Sequence, residues 1–135
     1  MIKDGKEVEL TREETLRLHR MMWTDMQKEL GDNADWEKRC NFKHEWLESH
    51  GYEDVLNDCL LCEYAKDDND KYCPICNKCP IDWSSPAVHD NYPNPNRGTC
   101  SARYMEYHGF GICASAIYLC APISEILALP EREVK

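Results

Sequence analysis

Five cysteines fall between positions 59 and 79. Cys59 and Cys62 form a C-x2-C pair, and Cys73, Cys76 and Cys79 form a C-x2-C-x2-C run. Two thiols three positions apart sit on one tight turn and grip a single ion. Two such turns close a tetrahedron around Zn²⁺, which accepts four thiolates without redox chemistry. Two quartets satisfy the pattern. Local geometry favours Cys59, Cys62, Cys73 and Cys76, because Pro74 presets the Cys-Pro-Ile-Cys-Asn turn and Asn77 tolerates a left-handed backbone. The other quartet, Cys59, Cys62, Cys76 and Cys79, leaves 13 residues between its pairs. The run followed by Pro80 also echoes part of a ferredoxin motif. No fourth cysteine lies four positions beyond Cys79, so an iron–sulfur cluster is the lesser alternative. Nothing marks an open coordination position, and the expected zinc is structural.

Other reactive side chains form weaker patterns. His44 and His50 flank a helical stretch but stand six positions apart, whereas a zincin needs two His one turn apart on one face. A solvated helix end is expected there. His19 falls on an apolar stripe and reads as a satisfied core or edge histidine, with a metal role only if the fold brings it beside the cysteines. Asp67-Asp68-Asn69-Asp70 opens like a calcium loop but lacks the Gly at the sixth position and the Glu at the twelfth, and reads as a solvated turn. Cys40, Cys113 and Cys120 fit small core positions. Cys100 is a candidate exchangeable ligand or reactive thiol at a loop end. Trp83, His89, Tyr92 and Arg97 gather around a Pro-rich loop, and aromatic residues with Arg are the usual anchors of a partner-binding surface. No phosphate cradle, nucleophile elbow or close pair of catalytic carboxylates appears, so no catalytic residue is assigned and an enzyme is not expected.

The elements that would position these groups are mostly helical. Residues 2–9 alternate around Asp4-Gly5, a turn signal for a short hairpin too small to be stable alone. Thr11 and Glu14 make a capping box, and Leu16, His19, Trp23, Met26 and Leu30 then recur at helical spacing, widened by Leu18 and Met22 and stopped by Gly31. A second helix is expected from about Asn33 to Ser49, with Gly51 beyond its end. Pro86, Pro93 and Pro95 forbid a helix or central strand in the loop before Cys100. Helical patterning resumes from Ser101. Pro122 kinks or restarts it, and Ile123, Ile126, Leu127 and Leu129 carry it to Pro130.

The 135 residues fit one domain, and a chain of this length buries only a modest core, so a local metal staple matters for stability. The net charge of −9 is concentrated between residues 51 and 100, where nine acidic side chains face four basic ones. Four thiolates on zinc would add a further −2, which disfavours a broad grip on nucleic acid. The charged opening MIKDGKEVEL has no apolar core of a secretory leader, and no apolar run approaches membrane-spanning length. The expected compartment is the cytoplasm, where thiols stay reduced. An odd number of cysteines cannot all pair within the chain, which also favours metal over disulfides.

Three segments taken together carry a resemblance. They are Leu10-Thr11-Arg12-Glu13-Glu14 with Leu18 to Trp23, Cys59-Leu60-Leu61-Cys62-Glu63-Tyr64-Ala65, and Cys76-Asn77-Lys78-Cys79-Pro80-Ile81-Asp82-Trp83. The chain resembles small cysteine-rich proteins of unknown function encoded by phages and prophages of Firmicutes. Those proteins share a capped helix with His and Trp, C-x2-C-E-Y-A, C-x2-C-P-I-D-W and a closing Leu-Pro-Glu-Arg, here Leu129 to Arg132. The resemblance implicates Cys59, Cys62, Cys76 and Cys79, with Cys73 the alternative ligand, and implies a phage or prophage setting without naming an activity. The chain departs from the family by adding Cys73 and by the Pro-rich loop with Cys100, Cys113 and Cys120.

The expected fold is mostly α: a small helical bundle with helices near 11–30, 33–49 and 112–129 and an inserted cysteine-knuckle zinc lobe. One domain spans 1–135, divided into an N-terminal helical hairpin (11–50), the zinc lobe (55–83), the Pro-rich loop (84–100) and C-terminal helices (101–130). The expected function is that of an accessory protein binding a protein partner, with inhibition of a host nucleic-acid-handling defence protein as one form. A nucleic-acid-binding zinc knuckle is the alternative, and a thiol- or metal-dependent enzyme stands behind it.

Overall fold

A computed structural model describes residues 1–67, 70–74, 78–82 and 122–133, without the side chains of 36, 57, 67 and 70–74. The described chain is mostly helical, as the periodicity predicts. Its axis is helix α1 (Arg12–Leu30). Thr11 accepts from the Glu14 N–H while the Glu14 side chain reaches back to the Thr11 backbone, so the capping box forms at the expected residues. Gly31 ends the helix at φ 85°, a conformation glycine adopts without a Cβ penalty.

The second helix, α2 (Trp36–Ser49), starts later than the patterning suggests. Asp35 is the N-cap, accepting from the Lys38 N–H, so Asn33 and Ala34 remain in the connecting turn. That turn is held from within. Arg39, buried on α2, donates from Nε to the Ala34 carbonyl at 2.7 Å and from Nη2 to the Asp32 carbonyl at 3.3 Å.

The Asp4-Gly5 turn joins β1 (Ile2–Lys3) to β2 (Lys6–Glu7), with both turn residues at positive φ as a tight hairpin requires. A third strand, β3 (Tyr52–Glu53), pairs with the other edge of β1 and gives the order β2-β1-β3. This strand is not legible in the sequence, because two residues carry no alternation. It supplies the support that the hairpin lacks alone. Asp4 N–H also donates to the Gly51 carbonyl at 2.9 Å, which ties the hairpin to the end of α2.

A 3₁₀ turn (Leu56–Asp58) leads into the short helix α3 (Leu60–Tyr64). Strands β4 (Lys66–Asp67) and β5 (Asp70–Pro74) then pair antiparallel, where a calcium-type loop would have needed quite different backbone. Of the helix expected over 112–129, the described part is α4 (Ile123–Ala128), with Pro122 at its N-cap; residues 112–121 lie outside the described residues. Pro122 therefore begins this helix, as its missing N–H and fixed φ suit.

The wide stripe of α1 serves two cores. Leu16, Trp23 and Met26 pack with Cys59, Leu61, Cys62, Cys79, Ile81, Ile123 and Ile126. Leu18 and Met22 pack with Met1, Trp46, Leu47, Tyr52, Val55 and Leu60. A helix buried on two sides needs apolar residues beyond a single 3.6-residue line, which is why Leu18 and Met22 widen the pattern.

Candidate functional site

Cys59 is the N-cap of α3, and its sulfur accepts from the Cys62 N–H at 3.3 Å. The C-x2-C pair thus forms a tight turn in which a backbone N–H already points at a sulfur. Cys59, Cys62 and Cys79 are 4%, 5% and 7% exposed and share one core cluster with Trp23 and Ile81. None of the three is joined to another by a disulfide. The Cys62 thiol is pushed well above its ordinary range, first by its hydrogen bond with Cys59, then by burial and by the negative potential of Cys59 and Cys79. Lys43 works in the opposite direction.

Cys79 reaches this place through the chain's last described segment. Arg132 donates from Nε to the Cys79 carbonyl at 3.0 Å and from Nη2 to the Ile81 carbonyl at 3.4 Å. Its own N–H donates to the Pro80 carbonyl at 2.7 Å, and the Asp82 N–H donates to the Pro130 carbonyl at 2.9 Å. An isolated bridge between Ile81 and Glu131 completes the pairing. From α1, Arg12 donates to the Arg132 carbonyl and Arg20 pairs with Glu131 at 3.1 Å. The Cys-Pro-Ile-Asp and Leu-Pro-Glu-Arg segments therefore hold each other, and α1 holds both.

Glu63 organises the other side of α3. It accepts from the Leu56 N–H at 2.9 Å and pairs with the Met1 amine at 2.9 Å and Lys66 at 3.2 Å. Burial pushes its carboxyl up, but these three partners outweigh burial and hold it below the usual carboxylate range. A cavity of about 330 Å³ lies here, lined by Val8, Leu10 and Tyr64 along with Met1, Glu63 and Lys66. Its Glu63 and Lys66 are already paired with each other, so they supply neither a poised base nor a free cation.

The remaining sequence candidates divide as follows. Cys73 lies in β5, with its side chain outside the described residues. Cys76, Trp83, His89, Tyr92, Arg97, Cys100, Cys113 and Cys120 also lie outside them. Among the described residues, no group of three His, Cys, Asp or Glu side chains is arranged to hold a metal ion as it stands. Cys40 is half-buried on α2. His44 is exposed beside Glu48 and Asp58, and His50 stacks on Trp46 at 3.8 Å between ring centroids, so both belong to a solvated helix end.

His19 departs from expectation. It is a core residue, but its Nε2 finds no hydrogen-bond partner among the described residues. Burial, with smaller contributions from the charges of Arg20 and Lys43, pushes its pKa from 6.5 to about 3, so the imidazole is neutral. Lys43 itself is buried, which helical patterning did not predict for a lysine. Its signal was there in part: Lys43 falls one turn before Leu47 on the inward face of α2. Among the described residues, no helix is long and apolar enough to cross a membrane. Comparison of the chain with protein-family models, with curated proteins and with solved structures finds no match to any of the three.

Proposed function

We propose that this chain is a small zinc-stapled accessory protein that acts by docking on a basic protein partner. The observation that carries the metal half is the burial of Cys59, Cys62 and Cys79 in one cluster, with the Cys62 N–H directed at the Cys59 sulfur. Cys76 supplies the fourth thiolate in this reading, with Cys73 the alternative. Zinc would contribute tetrahedral thiolate ligation and no chemistry, joining α3 to the segment that Arg132 clamps. The partner half rests on the −9 charge and the lack of a catalytic constellation among the described residues. An acidic surface of this size suits a basic groove built for nucleic acid, such as that of a host defence protein in the phage or prophage setting that the resemblance implies.

Elemental analysis and an absorption spectrum of protein purified without added metal test the first half. One zinc per chain without visible absorption supports it. Iron with a band near ~400 nm replaces zinc by a cluster, and metal-free folded protein overturns it. The partner half is tested by pull-down from host lysate. A specific basic protein retained at about 50 mM salt and released at about 500 mM is expected, and no partner under either condition would sink the idea.

A further inference from the structure

Strand β2 is the free edge of the three-stranded sheet, because the order β2-β1-β3 leaves nothing beyond it among the described residues. The Asp4-Gly5 turn sets Lys6 opposite Lys3 and Glu7 opposite Ile2, and the Val8 N–H donates to the Met1 carbonyl at 3.1 Å. Backbone groups alternate between the two edges of a strand, so with Lys6 and Val8 turned to β1, those of Glu7 point outward. The same alternation turns those of Glu9 outward, and Glu9 makes no backbone hydrogen bond among the described residues. Both glutamate side chains are exposed. The cavity of about 330 Å³ opens beside this edge, lined by Val8, Glu9 and Leu10 and by Tyr64 and Lys66. Tyr64 is the one large apolar side chain exposed among the described residues. The Lys66 ammonium is stabilised first by its hydrogen bond with Glu63, against burial, and then by the charges of Glu63, Glu9 and Glu7. The negative potential of the edge therefore reaches the cavity.

We propose that the free edge of β2 takes up an extended strand of the partner in which basic and apolar residues alternate. The inference deepens the partner reading and rests on it. The outward N–H and C=O groups of Glu7 and Glu9 pair with the incoming strand, the mode by which sheet edges bind peptides. Residues directly opposite in an antiparallel pair share one face. Lys or Arg opposite Glu7 and Glu9 thus meets a carboxylate, and an apolar residue between them lies with Val8 beside the cavity. A second copy of this chain is the poorer occupant. Any antiparallel self-pairing through these groups sets position 7 or 9 against position 7 or 9, hence Glu against Glu, which is destabilising. Charges on an edge strand guard against such self-association, and here the same charges select a basic strand.

The test measures binding of capped peptides of about eight residues to the whole wild-type chain, by fluorescence anisotropy at about 50 mM salt. One peptide alternates Lys and Val, and a second holds the same residues in two blocks. Two further alternating peptides carry N-methyl groups on the Lys amides or on the Val amides. The alternating peptide is expected to bind about tenfold more tightly than the block peptide. Methylating the Lys amides, which face Glu7 and Glu9, should weaken binding about tenfold or more, whereas methylating the Val amides should leave it within about threefold. Changing Glu7 and Glu9 together to Gln should weaken binding at about 50 mM salt and make little difference at about 500 mM.

Equal binding of the alternating and block peptides, or equal effects of the two methylation patterns, overturns the inference and leaves docking by charge alone, so the partner reading stands. Absence of binding by every peptide overturns it as well. The lysate pull-down, repeated with Glu9→Pro to delete an outward N–H, then separates the two ideas. A basic partner held equally by wild type and variant keeps the partner reading without the edge, and no basic partner for either removes both. A wild-type dimer that Glu9→Pro dissociates would make a second copy the occupant and overturns the inference.

Discussion

His19 combines three properties that rarely coincide: a place on the apolar stripe of α1, full burial and a nitrogen with no partner among the described residues. Its pKa of about 3 against an ordinary 6.5 has a definite sign in stability. The unfolded chain binds the extra proton between those values, so stability is complete above pH 6.5 and falls as pH drops through the window. The slope is up to about 1.4 kcal/mol per pH unit. Metal-free protein should therefore lose urea resistance between pH 7 and pH 5, before the carboxylates of Glu63 and Asp32 are protonated. His19→Phe should flatten that limb, and a limb unchanged in the variant would assign the loss to other groups. Arg132 matters at the same scale, since one guanidinium donates to both the Cys79 and Ile81 carbonyls. Arg132→Ala should cost about 2 kcal/mol by urea denaturation, because charge-assisted bonds to partly buried carbonyls are lost. It should also weaken zinc binding, and a variant with wild-type zinc affinity would show that Cys79 is positioned without the clamp.

At the scale of elements, α1 is held by a capping box at one end and a positive-φ glycine at the other. Thr11→Ala should lower stability by about 1 kcal/mol in urea titration while leaving the zinc site intact. The junction of α2 with the sheet is less tolerant. Gly51 stands at φ 81°, and a Cβ built there would lie 2.1 Å from the Asp4 Oδ1 atom. Gly51→Ala should cost about 1–2 kcal/mol, partly restored by adding Asp4→Ala, which removes the clash but not the backbone strain. Equal stability of the single and double variants would show that the backbone accounts for the whole effect. The Asp32 turn links α2 to α4 in a similar way. Ser124 donates to Asp32 through both its N–H and its hydroxyl, and these bonds hold the Asp32 carboxyl below its usual range.

For the whole molecule, the two cores meet on α1, and the cysteine cluster belongs to the core that also contains α4 and Ile81. A metal at that cluster would join α3 to the Cys79 segment, which Arg132 in turn ties to the far end of the chain. The double change of Cys59 and Cys62 to Ser should then lower the melting temperature well below that of the wild type. A normal circular-dichroism melt of that variant would remove structural zinc from consideration. Chelation of the wild type should lower its melting temperature for the same reason, since a ligand bound only by the folded state stabilises it by mass action.

Local rules made much of this readable from the amino acids. Thr11 and Glu14 are adjacent on a helical turn, Gly31 and Pro122 restrict their own backbones, and Asp4-Gly5 makes its own turn, so each of these features is encoded within a few residues. The C-x2-C turn with its N–H directed at a sulfur is equally local. Tertiary structure decided the rest. The pairing of β3 with β1, the clamp of Arg132 on the Cys79 segment, and the burial of His19, Arg39 and Lys43 all depend on partners distant in sequence. A polar residue on an amphipathic helix reads as surface until a second element covers it. Only the packing of α1, α2 and α3 placed an imidazole and an ammonium beside Cys59.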